Sequence, residues 1–167
     1  AGAPHRFCDV CDLDAVRSVT RGLDVVYNLA AEHRDDVRPV ARYAAVNVDG
    51  ARNVCHAASD EGVNRIIFTS SVAVYGLPER PAAEDAPCRP FNEYGRTKLE
   101  AERVYRDWAD EDSSRSLVIV RPTVVFGEGN RGNVYNLARQ IAGGRFVMIG
   151  DGRNRKSIAY VENVVGF

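Results

Sequence analysis

The chain has no excess of either charge. Its 22 basic residues face 23 acidic ones, and no polybasic block occurs. That removes the electrostatic footprint of a nucleic-acid or anionic-membrane partner. No stretch approaches the roughly 18 apolar residues that a membrane-spanning helix needs. No secretory leader is visible, so a cytoplasmic setting is the expectation. Cysteine is scarce, with residues only at 8, 11, 55 and 88. Cys8 and Cys11 form a lone C-x-x-C without a second pair, which argues against a zinc site. Cys8 and Cys55 stand in apolar segments, as small core residues do, and reduced thiols fit that setting. Internal repeats and low-complexity tracts are also missing, which excludes a solenoid.

What is present suits one domain by size. The 167 residues are 45% apolar, enough to bury a core. Strand and helix patterns alternate along the chain. RFCDV (6–10) reads as a short strand and LDAVRSVTRG (13–22) as a helix closing on Gly22. DVVYNLA (24–30) and NRIIFTS (64–70) are continuous apolar strands, as expected where both sheet faces are covered. Between them a long helix is expected over about 37–60, with Val46, Gly50, Val54 and Ala58 at helical spacing. Residues 77–90 read as a loop. Asn92 then caps a helix that buries Thr97, Ala101, Val104, Tyr105 and Trp108. SLVIVRP (116–122) is the next strand, followed by a Gly- and Asn-rich loop, a helix near 134–143 and a strand FVMIG (146–150). Such alternation argues for a parallel α/β sheet with flanking helices.

The residues that carry chemistry are Ser71, Tyr94 and Lys98, set in FTSSVAVYG (68–76) and YGRTK (94–98). Helix positions four apart share a face, so Tyr94 and Lys98 are expected to point into one site. An ammonium beside a phenol favours the phenolate, so Lys98 is expected to lower the tyrosine pKa. Tyr94 then serves as acid/base toward an alcohol, with Ser71 holding the substrate oxygen. Strand alternation puts Thr69 and Ser71 on one side of the sheet. Ser70 then reads as strand-end packing.

These motifs resemble the extended short-chain dehydrogenase/reductase family, in its branch of NAD-dependent nucleotide-sugar epimerases and dehydratases. The resemblance covers nearly the whole chain: DVVYNLAAEH (24–33), NVDGARNVCHAA (47–58), FTSSVAVYG, YGRTK, RPTVVFGEG (121–129) and GDGRNRKSIAYVENVV (150–165). It implies a Rossmann-type dinucleotide domain over 1–127 and the start of a substrate-binding region over 128–167. It also implies a bound NAD, with NADP as the alternative, and a nucleotide-diphosphate sugar as substrate. A homodimer through the helices at about 37–60 and 93–110 is a further expectation.

Residue by residue, the resemblance gives Asp9 and Val10 to the adenine, with a strand-end or turn aspartate as the alternative. Leu29, Ala30 and Ala31 line the cofactor, or else serve helix–strand packing. Asn47 and Thr69 join the cofactor set, helix-face packing being the other reading of Asn47. Lys98 holds the nicotinamide ribose. Pro122, Thr123 and Val124 meet the carboxamide, with any donor from Thr123 or Val124 because Pro122 has no N–H. Asn133 is implied to hold the substrate diphosphate, or is an ordinary helix cap. Lys156 stands where sugar epimerases commonly carry arginine. It keeps the charge and loses the bidentate fork. His33 faces the expected substrate region or is a solvated loop residue.

Two departures from the family pattern have consequences. No G-x-x-G-x-x-G occurs anywhere, and that turn is what brings backbone to the cofactor pyrophosphate. In a sheet of order 3-2-1-4-5-6, the segment at 6–10 then lacks its partner, and the strand at 24–29 becomes an exposed apolar edge. The expectation is an internal fragment of a longer enzyme, which alone binds dinucleotide poorly and is inactive. Second, dehydratases place an Asp-Glu pair directly after the catalytic hydroxyl, where this chain has Val72 and Ala73. Neither moves a proton, so epimerisation through a transient keto-sugar is expected. An NAD(P)-dependent reductase or dehydrogenase, and a non-catalytic sugar-nucleotide or cofactor-binding fragment, are the alternatives.

Overall fold

A computed structural model describes residues 5–34 and 36–166. The outermost positions of both expected domains, residues 1–4 and 167, lie outside that range. The chain divides into two units, between Arg121 and Pro122.

The first unit is built on three parallel strands in the order β1-β2-β3: β1 (Val26–Asn28), β2 (Arg65–Thr69) and β3 (Ser116–Val120). Phe68 of β2 stands between Asn28 and Ile119 in the ladder. The fold class is therefore the expected one: a parallel Rossmann-type sheet with helices between successive strands.

The helices follow from local chemistry. α1 (Leu13–Thr20) starts where the Asp12 carboxylate accepts the N–H groups of Asp14 and Ala15. The expected long helix consists of three consecutive segments, α2 (Ala41–Ala44), a π-helical turn (Ala45–Asp49) and α3 (Gly50–Asp60). Backbone angles stay helical through both junctions. α4 (Glu93–Asp110) begins as expected at Asn92, whose Oδ1 accepts the Gly95 N–H at 2.9 Å.

Val54, Ala57 and Ala58 of α3 pack with Ala101, Tyr105 and Trp108 of α4 against Ile66 and Phe68. Removing a side chain the size of Phe68 from this cluster would cost about 3–5 kcal/mol. Val104, expected in the core, is only half-buried at its margin.

The sheet's first strand is its exposed edge, as expected. Tyr27 is 63% and Leu29 68% accessible. The segment 6–10 forms no strand, which corrects the sequence reading. Without a neighbour, an extended segment has nowhere to place its backbone hydrogen bonds. Its residues are used otherwise: Asp9 Oδ1 accepts the Cys11 N–H at 2.9 Å, making a turn into α1.

In the second unit, β4 (Val124–Phe126) pairs in parallel with β5 (Ile158–Tyr160). α5 (Asn133–Ala142) lies between them in sequence, and α6 (Val161–Val165) follows. The Phe126 and Tyr160 rings pack tilted against each other, with centroids 5.7 Å apart. The expected strand at 146–150 is not formed. Those residues are exposed and have no ladder partner among the described residues.

Candidate active site

The site is assembled at the carboxyl ends of the parallel strands, where open α/β sheets bind their ligands. β2 ends at Thr69, and the chain turns at Ser71 into a 3₁₀ turn, Val72–Tyr75. The Ser71 Oγ accepts the Ala73 N–H at 3.1 Å, which fixes the turn and the hydroxyl together. α4 then passes closely over this turn. A Cβ placed on Gly95 would stand 2.5 Å from the Ala73 carbonyl oxygen. Only glycine permits that approach, and it seats Tyr94 beside Ser71. Gly76 closes the turn with φ +75, where a Cβ would run into the Arg89 carbonyl.

Burial pushes the Tyr94 phenol above its ordinary pKa, and the neighbouring Ser71 side chain pulls the other way. This corrects the expectation that Lys98 lowers it. The reason lies in where the ammonium sits. Lys98 is 1% accessible, and its Nζ stands 4.1 Å from the centre of the Phe68 ring. Burial pushes Lys98 down to about 8, against the opposing charge of Glu102. Lys98 is thus a cation held at reduced proton affinity, and no lowering of the phenol by it is present here.

The residues around this pair were only partly visible beforehand. Asn47, in the π-helical turn, accepts the Glu32 N–H at 2.8 Å and donates to the Glu32 carbonyl and to Thr97 Oγ1. Its amide is committed to protein partners, so the structure gives it a clamping position. Thr97 Oγ1 in turn donates to the Glu93 carbonyl at 2.8 Å. Ser70 is buried, as its strand-end reading implied, and donates to Glu102 at 2.6 Å.

The remaining expected site residues fall on several segments of the chain. Thr69 and Ala31 are half-buried, and Leu29, Ala30 and His33 are exposed after β1. The Ala30 N–H donates to Asn28 Oδ1 at 3.0 Å. Asp9 is exposed in its turn, and Val10 packs against Gly50, where a Cβ would lie 2.8 Å from Val10 Cγ1. In the second unit, Pro122, Thr123 and Val124 are half-buried at the entry to β4. Asn133 is the first residue of α5, whose cap position is Gly132, so it is not the helix cap. Lys156 is exposed in the segment before β5.

Sequence reasoning missed Glu102, Arg121, Asn28 and Gly95. Glu102 left one signal: it is a charge four residues past Lys98 on an otherwise buried helix face. Asn28 donates to the Tyr105 hydroxyl at 2.5 Å behind the Phe68–Lys98 contact.

Comparison with known proteins fits this arrangement. The NAD dependent epimerase/dehydratase family profile matches residues 3–167. An Escherichia coli O157:H7 protein named N-acetyl-alpha-D-glucosaminyl-diphospho-ditrans,octacis-undecaprenol 4-epimerase is 56% identical over 160 residues, covering 95% of this chain and 48% of that protein. A Vibrio cholerae UDP-glucose 4-epimerase is 36% identical over 148 residues, covering 84% of this chain and 45% of the relative. The chain thus spans about half the length of these relatives. Among solved structures, UDP-N-acetylglucosamine 4-epimerase from Methanobrevibacter ruminantium M1, in complex with UDP-N-acetylmuramic acid, superposes with TM-score 0.80 at 26% identity, covering 95% of this chain and 54% of that one. No helix among the described residues is long and apolar enough to cross a membrane. On its motifs, its parallel sheet and the site they build, this chain belongs to the NAD dependent epimerase/dehydratase family.

Proposed function

We propose that this chain carries the acid/base group of a 4-epimerase whose substrate is a sugar attached through a diphosphate. The observation that carries the reading is Ser71 set against Tyr94, with Lys98 one turn further along α4.

NAD is the proposed cofactor, and the residues present fit its nicotinamide side. Small side chains (Ala30, Ala31) follow β1, hydroxyls (Thr69, Ser71) follow β2, and α4 supplies the cation Lys98. The chain has no glycine-rich turn for the pyrophosphate. When bound, NAD supplies a reversible hydride acceptor.

The chain's own residues handle the proton. The Ser71 hydroxyl orients the sugar O4, and Tyr94 exchanges a proton with that oxygen. With its pKa raised, the phenol holds its proton, the form that protonates an alkoxide. Removing the proton needs a lower pKa, which a cation brought against the phenol would supply. Val72 and Ala73 offer no acid for dehydration.

The relatives' names include both a polyprenol and a nucleotide as the sugar's carrier. The diphosphate is common to both, and Asn133 and Lys156 are proposed to meet it. A homodimer through the helices at about 37–60 and 93–110 is part of the same proposal.

The test replaces the matching 160 residues of the Escherichia coli relative with this chain. The chimera is given NAD and N-acetylglucosamine linked either to undecaprenyl diphosphate or to UDP. Formation of the 4-epimer from either carrier supports the reading, and the preferred carrier names the substrate. A folded chimera that binds NAD and epimerises neither would overturn it.

A further inference from the structure

Glu102 is fully buried, and four donors converge on its carboxylate. Oε1 accepts from Ser70 Oγ at 2.6 Å and Arg121 Nε at 2.8 Å. Oε2 accepts from Arg121 Nη2 at 2.6 Å and Arg106 Nη2 at 3.0 Å. Arg121, at the end of β3, also donates to the Tyr75 hydroxyl at 2.5 Å and the Glu84 carbonyl at 3.2 Å. One carboxylate therefore joins the end of β2, the end of β3, the 3₁₀ turn and the following loop to α4.

Stability does not require such a group. Each buried ion costs several kcal/mol in desolvation, and well-packed apolar residues often replace such pairs without loss. The position of Glu102 offers another reason for it. Ser70 is the neighbour of Ser71, and Lys98 lies one turn before Glu102 on the same face of α4. Charged and titratable groups facing Glu102 are Arg121, just past β3, and Arg106 and Lys98 from its own helix. Phe68 from β2 covers Lys98.

We propose that Glu102 is a positioning residue for the Ser71–Tyr94–Lys98 group, tying the strand end at Ser70 to α4 and supplying the buried negative charge opposite Lys98. The proposal rests on the reading of that group given above. It acts through two residues, Ser71 by the tether and Lys98 by the charge. Hydrogen bonds from Arg121 and Ser70, with the charges of Arg121 and Arg106, outweigh burial and keep the Glu102 carboxyl below the usual range. It is therefore an anion at neutral pH, and it is the charged neighbour that raises the proton affinity of Lys98.

The sequence makes a direct test simple, because its only lysines are Lys98 and Lys156. The chain is prepared with ¹³Cε-labelled lysine and titrated by NMR. Wild-type Lys98 is expected to titrate near 8, well below an ordinary lysine. In Glu102→Gln the Lys98 midpoint is expected to fall by at least about 0.5 pH unit, and the Ser71 and Ala73 amides to exchange faster. A folded Glu102→Gln variant with an unchanged midpoint would overturn the proposal.

Should that variant not fold, Glu102→Met with Arg121→Met removes both charges and leaves an apolar pair. A Lys98 midpoint below wild type supports the proposal, and one unchanged or raised overturns it. This titration reads Lys98 directly, whatever the chain turns over. A failed epimerase assay and a failed Glu102 role are thereby told apart.

Discussion

Asn47 Nδ2 donates to Thr97 Oγ1 at 2.9 Å, joining the π-helical turn to the first turns of the helix that carries Tyr94. The same amide closes both backbone groups of Glu32. Asn47→Ala would leave the half-buried Glu32 N–H and carbonyl without these partners, and an unsatisfied buried group costs about 1–3 kcal/mol, an upper bound here. The expected outcome is a lower urea midpoint and faster amide exchange at Glu32. Exchange at Glu32 equal to wild type would show that the loop after β1 is held by other contacts.

Gly95→Ala is informative because propensity and packing predict opposite signs. In a helix interior, alanine is favoured over glycine by roughly 1 kcal/mol. Here the new Cβ would meet the Ala73 carbonyl at 2.5 Å. Backbone on both sides leaves little room, so a net loss of about 1–3 kcal/mol is expected. Thermal denaturation gives the sign, and stabilisation would mean that α4 stands further from the 3₁₀ turn.

Tyr94→Phe keeps the ring and removes the proton. In the chimera it is expected to lower turnover by about 10²-fold or more, the usual worth of a positioned acid or base. Cofactor binding should persist, which fluorescence titration checks. Near-normal turnover would remove Tyr94 from its proposed role.

The depressed Lys98 pKa has a stability consequence whose sign can be worked out. Folding lowers it from 10.5 to about 8. Below about pH 8 both states are protonated, and the native state carries the full cost of a buried ammonium. As pH rises from about 8 to 10.5, the native state sheds a proton that the unfolded chain keeps, so native stability rises. Lys98→Met does not titrate there. Its advantage over wild type should be largest near neutral pH and shrink by up to about 3 kcal/mol at alkaline pH. Urea midpoints of both proteins at about pH 7 and 9.5 measure the change, and a constant difference would contradict the shift.

The edge strand gives a fifth quantity to measure. Tyr27 and Leu29 present apolar surface beside unpaired backbone on β1. Charged residues blunt such edges. Tyr27→Lys is expected to reduce light scattering at high protein concentration with little change in melting temperature, because this side chain is mostly outside the core.

Much of this architecture is written in local pattern. The apolar runs at 24–30, 64–70 and 116–122 each contain a strand of the sheet, and Asn92 starts α4 as its side chain suggests. Tyr94 and Lys98 were legible from a four-residue spacing. Pairing was not legible where it depends on a neighbour: residues 6–10 and 146–150 have strand-like composition and no ladder. The Glu102–Arg121–Ser70 junction escaped because its members are 32 and 19 residues from Glu102 in sequence. Spacing gave the direction of Lys98 along the helix but not its depth, so the expected lowering of Tyr94 by Lys98 is absent and burial sets the phenol's shift instead.

The π-helical turn at Ala45–Asp49 changes the phase of the helix that contains it. An α-helix advances about 100° per residue, and a π turn spends one residue more per revolution. Side-chain rows before and after it therefore fall on different meridians. Tyr43 and Val54 are both buried, yet no unbroken 3.6-residue ladder connects them. Deleting one residue from this turn would restore an ordinary helix and swing α2 around the axis of α3. The register of the loop that Asn47 clamps is thus encoded in a single surplus residue.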